Sequence, residues 1–222
     1  MIPAAGDMAK AVRATTKKLI EAEILDAVSY EASEALYAAL RSQKGEDWQI
    51  SVPRDSAFVF LWLTTNKGIK YRPMVSVHQI MTDSCGGGIF KHQDISLQMS
   101  CVDNKNHARW HFDRANQQGA RYQDGPLYHL QFGGHMSGQI EDFWLKEPRW
   151  AHAPMDLILL LEAVAANFYT DKWSTKVRRD PTWCEYVSQS ERLCLGAYVE
   201  KVQELINSRK DTVLSGLWAN VS

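Results

Sequence analysis

From Asp94 to Asp103 the chain alternates in polarity almost without fault, and no other feature restricts its folding as strongly. Ile95, Leu97, Met99 and Cys101 fall on one side of an extended chain; Asp94, Ser96, Gln98 and Ser100 fall on the other. A period of two with one wet side predicts an antiparallel strand that is covered on a single face. Asn104-Lys105-Asn106 then supplies turn residues. Alternation resumes at once, with His107, Arg109, His111 and Asp113 opposed to Ala108, Trp110 and Phe112. Leu127 to Phe132 repeats it, His129 and Gln131 facing away from Tyr128, Leu130 and Phe132. Upstream, Tyr71 to Met81 sets Tyr71, Val75 and Val77 against Arg72, Ser76 and His78. If these segments pair in one sheet, their polar sides form a continuous surface.

The flanks read differently. Asp7 to Lys44 lacks Gly and Pro and is rich in Ala, Glu, Lys and Leu, which predicts one long helix or two broken near Asp26 to Tyr30. Asp7 is placed to cap it and Gly45 to end it. Trp48 to Val52 is a short strand stopped by Pro53. Ala57 to Thr65 (AFVFLWLTT) is apolar on both sides and reads as a central, fully covered strand. After Pro154, expected in a first helical turn, Leu157, Leu160, Leu161, Val164 and Phe168 make a broad apolar stripe. Thr170 to Arg179 is a polar connector. Asp180-Pro181 caps a last helix to about Ser208, with Trp183, Val187, Leu193, Ala197, Val202, Leu205 and Ile206 on its buried side.

The expected fold is therefore α+β. An antiparallel sheet of about five or six strands, roughly residues 48–132, keeps one polar face, and N- and C-terminal helices cover the other. One domain spans 1–222, with helical segments at 1–45 and 153–210 around a sheet region at 46–135. Phe60, Trp62, Val75, Leu97, Met99, Trp110, Phe112, Leu130, Leu161 and Phe168 are expected in the core.

Charge excludes little. Lys and Arg number 25 against 26 Asp and Glu, so no global field draws the chain to nucleic acid or acidic lipid, although a local basic patch remains compatible. The four cysteines, Cys85, Cys101, Cys184 and Cys194, show no metal spacing and read as free thiols. There is no secretory leader pattern and no run of about 20 apolar residues, which points to a cytoplasmic protein without a membrane span.

Chemistry concentrates between His107 and His135, which holds four of the seven histidines. On a strand, His107 and His111 lie about 13 Å apart and cannot share an ion, whereas His111 and Asp113 are about 6.6 Å apart. His129, from a neighbouring strand, would complete a His-His-Asp set for a divalent metal such as Zn²⁺, with Arg109 beside it to neutralise developing charge. Were residues 107–118 helical, His107 and His111 would instead share one helix face at a zinc-like spacing. Arg109, Arg114 and Arg121 with Trp110 and Tyr122 could contact nucleic acid, but no recognised binding motif accompanies them. Ser84 to Gly88 lacks the Lys-Ser/Thr of a phosphate loop, and Ser137 lacks a nucleophile elbow.

Eight Trp, eight Tyr and seven Phe are a generous aromatic supply, which fills a core first and serves an interface with any surplus, and no catalytic set is complete. The leading expectation is a binding or adaptor subunit that docks a protein partner or a second copy of itself. The alternative is a hydrolase, metal-dependent or His-based, that uses His111, Asp113, His129 and Arg109 on a phosphoester or nucleic-acid substrate.

Overall fold

A computed structural model describes residues 2–52, 56–85, 89–102, 107–119, 121–133 and 148–220. Pro53, Gly86 to Gly88, Asn104 to Asn106, Gly134, His135 and Ser137 lie outside them, as does the side chain of His107. The chain is α+β, with helices from both ends and an antiparallel sheet of eight strands among the described residues.

Two helices open the fold, α1 (Ala5–Glu21) and α2 (Ser29–Arg41). Of the two readings the broken one holds, but the break covers residues 22–28, earlier than the expected Asp26 to Tyr30, and its cause is tertiary. Ile24 and Leu25 drop into the core, where Leu25 bridges Phe60 and the Ile24 carbonyl accepts from Leu61 N. Asp7 is not the cap; Ala4 holds that position, and Asp7 lies in the first turn paired with Lys10.

The sheet follows. β1 (Gln49–Ile50), β2 (Phe58–Val59) and β3 (Leu63–Thr64) all pair along one edge of β4 (Lys70–Thr82). Ala57 to Thr65 is thus neither central nor continuous. Pro73 lies in β4 between the partners of β2 and β3, and without an N–H it cannot sustain the ladder there. Trp62 falls in the gap and is 44% exposed, not buried. β4 then pairs with β5 (Phe90–Cys101), β5 with β6 (His107–Arg114), β6 with β9 (Tyr128–Phe132), and β9 with β10 (Trp150–Ala151). Residues 107–114 are strand, which removes the helical reading. β7 (Gln117–Gln118) and β8 (Arg121–Tyr122) form a separate small hairpin.

The alternation sets the register. Ile95, Leu97 and Met99 are buried and stand opposite Val77, Val75 and Pro73 on one side and Phe112, Trp110 and Ala108 on the other. The helices lie over this face: α2 meets β1 and β2, and α3 (Leu157–Phe168) packs on β4. Leu157, Ile158, Leu160, Leu161 and Val164 of α3 are fully buried. Asp156, not Pro154, starts α3, its side chain accepting from Leu159 N at 2.9 Å.

Thr170 to Arg179 is more ordered than a connector: α4 (Thr170–Lys172) runs into a π-helical turn over Trp173–Val177. Asp180 caps α5 (Pro181–Ser208) as expected, and the short α6 (Val213–Gly216) follows. Only the first half of α5 is covered; Trp183, Val187 and Leu193 are buried, whereas Ile206 is 54% exposed. Trp110, Leu130 and Phe168 are partly buried at the margin of the core. Among the described residues no helix is long and apolar enough to cross a membrane.

Candidate metal centre

The face turned from the helices carries the polar residues in register. Arg72 stands opposite Ser100, Ser76 opposite Ser96, and Gln98 opposite Arg109. Ser96 then faces His111 and Asp94 faces Asp113, while across β9 His111 meets Gln131 and Asp113 meets His129. Like charges directly opposite on neighbouring strands repel. The Asp94–Asp113 pair is therefore costly unless something positive sits between them.

Asp94, His111 and Asp113 bring one ligand atom each to within 4.8 Å of one another. Two ligands held about 2.0–2.2 Å from one ion lie about 3–3.5 Å apart, so small side-chain shifts close this set. Asp94 Oδ1, His111 Nε2 and Asp113 Oδ1 are shielded from solvent and have no hydrogen-bond partner among the described residues. Buried polar atoms are normally satisfied, so an unpaired, shielded atom on each of three clustered residues makes this a candidate metal site.

The electrostatics agree with the geometry. Burial, then the facing carboxylate of Asp94, raises Asp113 from its ordinary value to about 7, with Arg109 and Arg149 acting in the opposite sense. Burial, followed by the charge of Arg109, lowers His111 to about 4, so its ring is neutral near pH 7 and able to ligate. The Gly133 backbone also contacts the His111 ring.

Asp94 was legible as a polar residue of its strand but not as a ligand, because it stands nineteen positions before Asp113 and only the β5–β6 register joins them. His129 is placed otherwise. It neighbours Asp113 in register, yet it is 3% exposed and its Nδ1 lies 3.1 Å from the Pro126 carbonyl oxygen. Burial lowers it to about 4. The assembled donor set thus holds Asp94 with His111 and Asp113, and His129 is a buried neighbour behind it.

Arg109 lies beside the set as expected, and a bulge in β4 brings His78 to it. Between Val77 and Gln79 the ladder skips one residue, the kind of insertion that re-aims a side chain. His78 Nε2 sits 3.4 Å from Ser96 Oγ and 3.3 Å from Arg109 Nη2. A guanidinium only donates, so this nitrogen accepts. On the far side Arg149 donates to Gln131 Oε1 at 3.4 Å and to the Asp124 carbonyl at 2.7 Å.

Of the residues expected to contact nucleic acid, Trp110 and Arg114 alternate onto the other side of β6, and Arg121 and Tyr122 lie on the separate hairpin. Trp110 points to the apolar side against Phe132, their ring centroids 5.4 Å apart, and Arg114 stacks on Tyr122 at 5.0 Å. The four cysteines are unbridged. No protein-family model, curated protein or solved structure matches this chain.

Proposed function

We propose that the chain is a metal-dependent hydrolase of phosphoesters whose divalent ion is held by Asp94, His111 and Asp113. The observation that carries this reading is the clustering of ligand atoms of Asp94, His111 and Asp113 within 4.8 Å of one another at the like-charged Asp94–Asp113 pair, each residue also holding a solvent-shielded atom with no hydrogen-bond partner among the described residues. Two carboxylates with one neutral imidazole suit Zn²⁺ or Mn²⁺. Three protein ligands leave positions for water and substrate, and such an ion supplies a hydroxide nucleophile near neutral pH. Arg109 is the group that stabilises charge on a transferring phosphoryl oxygen.

The test is hydrolysis of bis(4-nitrophenyl) phosphate by purified protein with Mn²⁺ or Zn²⁺ added. Activity that EDTA abolishes and Asp94→Asn or His111→Ala removes is the expected result. Hydrolysis absent with either ion, or unaffected by EDTA and both substitutions, contradicts the reading.

A second reading, a subunit that docks a protein partner or another copy of the chain, is favoured by one observation. Phe132, 53% exposed, and Trp150, 65% exposed, continue the apolar face beyond the helices at the β9–β10 edge. Exposed aromatics grouped in this way favour association. Light scattering of the purified protein, before and after Trp150→Glu, is its test. A monomer that recovers no partner with either form counts against it.

A further inference from the structure

At one end of the polar face, Arg72 lies over the indole of Trp62, its guanidinium carbon 4.7 Å from the ring centroid. Trp62 stays 44% exposed despite that stack, because it occupies the gap between β2 and β3. Arg72 is the register partner of Ser100, and Ser100 shares its side of β5 with Gln98, Ser96 and Asp94. From Asp94 to Ser100 the strand advances about 20 Å. Between the ends, Gln98 stands opposite Arg109. A polar track thus leads from the Asp94–His111–Asp113 cluster past a guanidinium to a second guanidinium backed by an exposed tryptophan.

The length of this track decides what it fits. A mononucleotide or a simple phosphomonoester cannot touch the cluster and Trp62 together. At the stacked rise of one nucleic-acid strand, about 20 Å corresponds to about six nucleotides, and to fewer if the strand is extended. Arginines spaced along a groove with an aromatic platform at one end are the means by which single strands are held. A duplex keeps its bases stacked inside and offers none to an indole.

We propose that the substrate is a single-stranded nucleic acid lying along this face, with one phosphate at the Asp94–His111–Asp113 cluster and a base several nucleotides away stacked on Trp62. The position of the reacting phosphate rests on the metal-centre reading; the stacking platform does not.

The experiment measures fluorescence anisotropy of labelled 12-residue oligonucleotides with the full-length protein in EDTA, where metal-dependent cleavage is off. Single-stranded DNA, single-stranded RNA and duplex DNA are compared for wild type, Trp62→Ala and Arg72→Ala, and Mn²⁺ binding is titrated separately for each form. The expected result is binding of a single strand at least tenfold tighter than duplex. Trp62→Ala should weaken it about 5- to 150-fold. Arg72→Ala should lower the slope of log K against log salt by about 0.7. Mn²⁺ binding should be unchanged in both variants, which also shows that they fold. The DNA and RNA arms reveal whether the 2′-hydroxyl matters.

If Mn²⁺ binds but Trp62→Ala leaves oligonucleotide affinity unchanged, or duplex binds as well as single strand, the nucleic-acid inference falls and the metal centre stands. If Trp62-dependent single-strand binding occurs without any Mn²⁺ binding, the single-strand platform at Trp62 stands, and the hydrolase reading falls together with the placement of a reacting phosphate.

Discussion

Asp94 on β5 and Asp113 on β6 face each other across the sheet as direct register partners, with His111 one step along the same face. Burial and the facing carboxylate raise Asp113 to about 7. A carboxyl raised from its ordinary value stabilises the fold while it is protonated, and that contribution is lost as pH rises through about 7. In metal-free protein, Asp113→Asn should therefore gain about 1–3 kcal/mol over wild type at pH 8 and little at pH 4. Urea denaturation at the two pH values measures the difference. An equal effect at both contradicts a carboxyl pair in conflict.

Metal affinity should carry the opposite sign. The ion competes with a proton for Asp113, so affinity rises with pH up to about 7 and binding below that value releases protons. Calorimetric titration in two buffers of different ionisation enthalpy, at pH 6, detects the release.

His129 separates the assembled donor set from the one first read out of the sequence. Its ring is buried, lowered to about 4, and faces the Pro126 carbonyl. A histidine lowered in this way contributes stability above its ordinary value near 6.5, and the contribution is lost as pH falls toward 4. His129→Asn should flatten this acid-side loss and leave Mn²⁺ affinity within about threefold, a change of under 1 kcal/mol. Loss of metal on this substitution would return His129 to the ligand set.

The helical layer has its own test. Asp180 caps α5, accepting from Trp183 N at 3.0 Å, and accepts from Lys18 Nζ of α1 at 2.6 Å. Its carboxyl is lowered first by Lys18 and then by the Trp183 amide. Asp180→Ala should cost about 1–2 kcal/mol, mostly through the lost cap, since a partly exposed ion pair adds little. Thermal denaturation reads the loss, and metal binding should not change.

The sheet was legible because Asp94 to Cys101 and His107 to Asp113 alternate, and alternation directly encodes which side is buried. Ala57 to Thr65 was misleading for a related reason. A run without alternation resembles a central strand, yet here a neighbouring proline interrupts the ladder and turns Trp62 outward. His111, Asp113 and Arg109 were visible as one face of one strand. Asp94 required knowledge of which residue lies opposite Asp113; His78 was visible on the polar side of its strand, but not its approach to Ser96 and Arg109 at the bulge. Pairing register is a tertiary property; spacing along the chain does not contain it.

Titration of the metal-free protein with Mn²⁺ and Zn²⁺, repeated on Asp94→Asn, addresses the metal centre most directly. One ion per chain in the wild type, with affinity reduced at least about 100-fold when Asp94 loses its charge, is the expected result. Wild-type protein that binds neither ion, or an Asp94→Asn variant that binds as tightly as wild type, contradicts it.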